Sequence, residues 1–499
     1  MTPRRVPGGP KSSPAIESNA SILSPAVVAG QAQNRQFRYL CANSSRSVAY
    51  THLAEVSVTA MPNASPHNTK PRLSPTRLAI VAVIGIIAIA DPAHANPEAL
   101  AEYRQRLRQI PNNDLDGRVN LGRWCEQQGL SREADVLYRL VLRSDPNHRQ
   151  AYDQLLALVQ RAKLPAESPH RMDALARKFP DGFYLAQTDH YLIVYDTSHF
   201  WADLRTKMLQ QVHEQFYQQM RRAGFRPMPL ERRLVCVLFN DHADYTNHAL
   251  QNDGKQITWA DGYFSVRHNQ AVFYNSHTGP DQNAHRNRMD QLQNKIDGLR
   301  LRAKDAADRQ DQQTARRLKS QLARAEREIK HSRRHYLRQT GLSNIATAIH
   351  EAAHQLAFNS GIQKRGLSYP FWFTEGLAMA FETTNTSISY GPLHANRHRR
   401  DRFLKAQAAG HLIPLTKLIK TRSLANDAKS DRVEITYAQA WALWHFLFKE
   451  RREQLREFTH KLNTQFPVVQ DEQKFEQMFI ETFGAINAVD RQMRAYYRK

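Results

Sequence analysis

Three things are scarce in this sequence of 499 residues: cysteine, acidic charge to match the basic, and long apolar runs. Cysteine occurs only at Cys41, Cys125 and Cys236. That is too few for a disulfide framework or a cysteine-built metal site. Cys125 and Cys236 fall in apolar surroundings on a predicted helix and strand, which suits buried free thiols. Asp and Glu number 47 against 70 Lys and Arg, a formal charge of +23. Such a balance favours an anionic cell-envelope surface or a solvated basic exterior. No RNP, zinc-finger or basic-zipper pattern accompanies it, so specific nucleic-acid binding is not expected. The chief apolar run, Leu78 to Ala90, has thirteen residues, fewer than the roughly 20 a membrane-spanning helix needs.

That run has the marks of an address instead. Lys70, Arg72 and Arg77 precede it, and Ala93-His94-Ala95 follows as an A-x-A cleavage pattern. The expectation is a signal peptide cleaved after Ala95 and a secreted or periplasmic product. A start at Met61 gives a leader of ordinary length, so residues 1–60 read as the product of a mis-assigned start codon. Residues 1–95 are set aside as leader. They hold nine Lys/Arg and three Asp/Glu, which leaves 23 − 6, or +17, on the remainder.

From residue 96 to 165 the chain reads as helical. Leu121, Gly122, Gly129, Ala134, Tyr138 and Pro146 fall at tetratricopeptide-like offsets. One and a half such repeats suit packing better than a peptide groove. Residues 166–280 read as α/β. Strands are expected at Tyr191 to Tyr195, Leu234 to Phe239, Gly262 to Val266 and Ala271 to Tyr274. A helical face is expected at Trp201, Leu204, Met208, Val212, Phe216 and Met220. Residues 281–340 are dense in charge. Met289, Leu292, Ile296, Leu299, Ala303 and Ala306 make a heptad seam that loses phase between 307 and 316. It resumes at Leu318, Leu322, Ala325 and Ile329. This predicts an inserted antiparallel coiled-coil hairpin, with one long stuttered helix as the alternative. Such an arm offers a route to oligomerisation. Residues 341–499 read as helical, with Ser343 or Asn344 capping a new helix.

That helix carries His350-Glu351-Ala352-Ala353-His354. Residues four apart share a helix face, so both imidazoles can meet one metal ion. Neutral imidazoles suit zinc, whose catalytic sites use three protein ligands and one open position. Glu375, within Trp372-Phe373-Thr374-Glu375-Gly376-Leu377-Ala378, is the candidate third ligand. Glu351, beside the first histidine, is placed to act as general base. Tyr437 is the first candidate to stabilise an oxyanion, followed by His394 and Arg397. Glu382 is a candidate partner for a histidine ligand.

An H-E-x-x-H with a glutamate twenty-one residues on, inside W-x-x-E-G-L-A, resembles the gluzincin metallopeptidases of peptidase clan MA. The nearest likeness is to an uncharacterised bacterial secreted family with a peptidase MA-like domain. The resemblance implies an α+β catalytic domain, a small mixed sheet plus a helical half. It also implies Zn2+ held by His350, His354 and Glu375, Glu351 as base, and an antiparallel edge strand that binds substrate backbone, placed here at Ala271 to Tyr274. The expected function is zinc-dependent cleavage of a peptide or protein substrate. The sequence departs from the family at Met379, where thermolysin-like enzymes carry an aspartate, and lacks the G-x-M-E-N exopeptidase motif. The rival reading is a non-catalytic cell-surface interaction protein with a structural or relic zinc site.

Overall fold

The structure is a computed structural model that describes residues 4–5 and 97–498, apart from 162–163, 258–259, 425–430 and 466–471. Apart from Arg4–Arg5, the leader expected over residues 1–95, with Met61 and Cys41, lies outside the described residues.

Four helices come first: α1 (Pro97–Gln109), α2 (Leu115–Gln127), α3 (Ser131–Ser144) and α4 (Arg149–Arg161). Asp114 starts α2 by accepting the Gly117 amide at 2.8 Å, an N-cap that satisfies one of the helix's orphan donors. Gly122 sets the spacing of α2 against α3, since a Cβ there would stand 2.4 Å from the Tyr138 ring. The four helices share a core that includes Val119, Cys125, Leu137, Val141 and Leu155. They dock on the segment 227–230. Arg139 donates to the carbonyls of Pro229 at 2.6 Å and Leu230 at 3.2 Å, and the Tyr152 hydroxyl donates to Pro227 at 3.1 Å.

After α5 (Pro169–Ala176) the chain builds a mixed sheet from β1 (Tyr184–Gln187), β2 (Tyr191–Tyr195), β3 (Leu234–Phe239), β4 (Gly262–Ser265) and β5 (Gln270–Tyr274). Its order is β1-β2-β3-β5-β4, and Arg4–Arg5 adds a short pairing outside β1. The pairs β2/β3 and β3/β5 are parallel, and the two outer pairs are antiparallel. Parallel neighbours need long crossovers, supplied by α6 (His199–Arg222) and α7 (His242–Asp253). The central strands are buried on both faces, which accounts for their continuous apolar runs. Ile193, Cys236, Ala271 and Phe273 face the larger core, and Val194, Val237, Val272 and Tyr274 face a smaller one beneath α7.

Two local expectations fail here. Ala271 to Tyr274 is an interior strand between β3 and β4, so the antiparallel edge strand is Gly262–Ser265. An apolar run reports burial, and this strand is buried along its length. Leu204 is 57% exposed on α6. The neighbouring Arg205 takes the inward position instead, its guanidinium 4.9 Å from the Trp201 ring and 5.3 Å from Phe273. Its aliphatic stem and cation–π contacts make that burial tolerable.

Two long helices follow, α8 (Pro280–Asp308) and α9 (Gln312–Asn359), folded back through a turn with Gln310 at φ +59°. Ile296, Leu299, Ala303 and Ala306 pack against Ala315, Leu318 and Ala325. No new helix begins at Ser343 or Asn344. The backbone is helical without a break from Gln312 to Asn359, 48 residues in all, about 72 Å. Lys330 to Thr340 contains no proline or glycine, and the lone Gly341 costs only about 1 kcal/mol in a helix. The far arm of the hairpin and the histidine-bearing turns are therefore one rod. Gly361, at φ +76°, lies just past its end.

The rest is helical: α10 (Phe371–Phe381), α11 (Arg397–Ala408), α12 (Leu415–Lys420), α13 (Asp431–Glu450), α14 (Arg452–Gln465), α15 (Glu472–Phe483) and α16 (Ile486–Arg498). Helices α10 and α13 meet at Gly376, where a Cβ would stand 2.5 Å from Trp444 Cβ and 2.8 Å from the Ala440 carbonyl oxygen. Gly376→Ala is therefore expected to lower stability by about 1–3 kcal/mol through overpacking. Urea unfolding measures this; an unchanged midpoint would contradict the close approach. Among the described residues no helix is long and apolar enough to cross a membrane.

Candidate metal centre

The last turns of α9 are pinned before any donor is considered. Ile349, Ala352, Ala353 and Leu356 are fully buried in the main core. Gln355, also fully buried, donates from its amide to the carbonyls of Val235 at 2.9 Å and Asn269 at 3.1 Å. Asn269, at φ +55° in the β4–β5 turn, exchanges two amide hydrogen bonds with Asn359, at 2.9 and 2.7 Å. The helix is thus fastened to the sheet by its polar side chains as well as by packing.

On the face turned towards α10, His350 Nε2 and His354 Nε2 stand 3.0 Å apart. Glu375, on the first turns of α10, brings Oε2 to 3.1 Å from His350 Nε2 and Oε1 to 3.5 Å from His354 Nε2. Ligands at zinc distances in a tetrahedron stand about 3.3 Å apart, so the three donors have the spacing of three corners. They are also the His, Cys, Asp or Glu group among the described residues whose ligand atoms all lie within 4.8 Å of one another.

Behind His350 lies Glu382, with Oε1 2.8 Å from His350 Nδ1. Arg399 grips the same carboxylate with two hydrogen bonds, Nε to Oε2 at 2.9 Å and Nη2 to Oε1 at 3.0 Å. Asn396 adds a third at 3.3 Å. The His350 Nδ1–H donates to Glu382, which leaves the Nε2 lone pair facing the donor cluster. Lone pairs at these separations repel unless a cation lies among them. The charge count agrees: Glu351, Glu375 and Glu382 against Arg399 leave −3 + 1 = −2 beside the two imidazoles. The residues present fit a divalent ion.

Titration follows the same logic. Burial disfavours charge on His350, but with no metal bound the Glu375 and Glu382 carboxylates, which accept hydrogen bonds from its ring, and the charge of Glu351 outweigh it and raise its pKa. Burial likewise opposes ionisation of Glu375, yet His354 and His350 hold it below the usual carboxylate range. Glu382 is held at about 2 against its burial, by Arg399 and His350. Glu351 differs. Burial raises its pKa, the two histidines pull it back, and Glu375 raises it further. A carboxylate with a raised pKa beside the donors suits an exchanger of protons.

Tyr437, on α13, lies edge-on to Phe371 at 5.1 Å, with the Arg399 guanidinium 5.7 Å over its ring. Burial, then the charges of Glu375 and Glu351, push its pKa up. His394 and Arg397 instead line an open cleft of about 800 Å³ bordered by Ala346 and Glu382. Sequence reasoning found Glu382 but missed Arg399, one of four consecutive basic residues, Arg397-His398-Arg399-Arg400. The one local signal is Asn396, whose side chain accepts the Arg399 amide and fixes the helix phase.

One family model, described as a protein of unknown function (DUF1570), matches residues 344–469. That stretch contains the three donors, Glu351, Glu382, Arg399 and Tyr437. No curated protein matches the chain.

Proposed function

We propose that this chain is a secreted, zinc-dependent peptidase-like hydrolase of the gluzincin type. The observation that carries this is the convergence of His350, His354 and Glu375 with Glu351 alongside and outside the donor set. A structural metal site has no use for that fourth group. When bound, zinc lowers the pKa of a water in its open position and polarises a substrate carbonyl. The protein's own residues do the rest. Glu382 and Arg399 keep His350 in the tautomer that offers Nε2. Glu351 accepts the proton of the attacking water and delivers it to the leaving amine. Tyr437, whose ring lies beside Arg399, is the group assigned to donate a hydrogen bond to the developing oxyanion. The tetratricopeptide-like segment 96–165 acts as a packing unit, and the leader expected over residues 1–95, with its apolar run at 78–90, carries the secreted assignment.

The test is a mixed-peptide library incubated with the purified chain. Cleavage is expected, its loss on treatment with a zinc chelator, and its return on adding zinc. Cleavage that survives complete metal removal would refute the reading.

A further inference from the structure

The α8–α9 hairpin contains a cleft of about 770 Å³ near its base, remote from its tip at Gln310. Its floor is apolar, made by Met289 and Ile329, and its rim carries Arg286, Lys330, Arg333 and Arg334. All four cations are exposed, and none has an ion-pair partner among the described residues. Other basic residues of the hairpin do pair: Arg288 with Glu328 at 4.0 Å and Arg300 with Glu326 at 2.8 Å. One carboxylate, Asp290, lines the cleft. Across the cleft His285 stacks on Tyr336 with ring centroids 3.8 Å apart. The concentration of unpaired cations around an apolar floor calls for an acidic ligand that also carries hydrophobic groups.

Position adds a second argument. Tyr336 and His350 lie on one uninterrupted helix, 350 − 336 = 14 residues apart. That is close to four turns, so they share a face at an axial distance of about 21 Å. Ile329 falls within a fifth of a turn of the same line. An extended polypeptide advances about 3.3 Å per residue, so six or seven residues bridge the cleft and the metal centre. A flat anionic lipid surface would meet a convex or planar basic face, whereas these cations rim a concave floor.

We propose that the base of the hairpin is an exosite for an acidic segment of a polypeptide substrate, bound six or seven residues away from the bond presented to His350, His354 and Glu375. The proposal rests on the hydrolase reading and names its substrate class. The hairpin is then a substrate-gripping arm, and its fusion to the histidine-bearing helix sets the distance between grip and metal.

The test uses the full chain and a fluorescein-labelled peptide containing six consecutive glutamates, followed by anisotropy. A hexaglutamine peptide and phosphatidylserine vesicles are the comparison probes. The glutamate peptide is expected to bind, more weakly as salt rises, and the glutamine peptide is not. Arg333→Glu with Arg334→Glu should weaken binding at least tenfold. Arg333→Gln with Arg334→Gln, which leaves no new charge to disturb the fold, should weaken it in the same direction. On a cleavable peptide with an acidic extension the same variants should raise KM and leave kcat unchanged, while a short neutral peptide is cut as by the wild type. Binding indifferent to both variants would overturn the proposal, as would vesicle binding tighter than peptide binding. Peptide binding without cleavage by the wild type would uphold the cleft and sink the hydrolase reading, so the two failures are distinguishable.

Discussion

Glu351→Gln is expected to retain the metal and to lose cleavage by about 10²–10⁴-fold, the usual contribution of a general base. The substitution keeps the shape of the side chain and removes only its ability to take a proton. It leaves the donors untouched, because Glu351 is not among the three groups that converge. It also does little harm to the fold, since burial raises the pKa of this carboxylate and its charge is costly where it stands. In the wild type the base must be ionised to take a proton, so the rate falls as pH drops through the pKa of Glu351. Glu351→Gln should abolish that acid limb together with the activity. Peptide cleavage and metal content measured on one preparation check this. Equal activity in wild type and variant would remove Glu351 from the mechanism.

Glu382→Ala is expected to act on both metal and fold. The carboxylate orients His350 through Nδ1 at 2.8 Å and accepts two hydrogen bonds from Arg399. Losing such an orienting partner typically costs 10–100-fold in metal affinity, about 1.4–2.7 kcal/mol. Losing one member of a buried ion pair costs about 3–5 kcal/mol. Here the lower end applies, because Glu434 stands 3.5 Å from Arg399 and keeps part of its compensation. A double variant separates the two effects. Glu382→Ala with Arg399→Ala leaves no orphaned cation, so stability should recover in part. Zinc affinity should stay low, because His350 has still lost its acceptor. Chelator competition reads the first quantity and urea unfolding the second. A Glu382→Ala protein with wild-type zinc affinity would show that His350 needs no such support.

What the sequence disclosed depended on how local the cause was. The two histidines and Glu351 were legible because helical period alone puts positions 350 and 354 on one face. Strands β2, β3 and β5 were legible because burial on two faces leaves an unmistakable apolar run. The order of the strands was not legible, since Ala271 to Tyr274 carries no mark of which neighbours flank it. The inward turn of Arg205 in place of Leu204 was hidden by its charge, although its stem and aromatic partners determine its place. Arg399 was hidden for a related reason. Its grip on Glu382 spans 17 residues and the turn between two helices, and nothing in a run of basic residues says which one turns inward. The polar stretch before Ser343 resembled a boundary, yet without proline the helix simply continues and makes arm and metal site one element.

The central claim is that His350, His354 and Glu375 hold a single zinc ion. Its most direct test is elemental analysis of the purified chain beside a His350→Ala, His354→Ala variant. About one zinc per wild-type chain and none in the variant is the expected result. Equal zinc in the two proteins would contradict the account at its foundation.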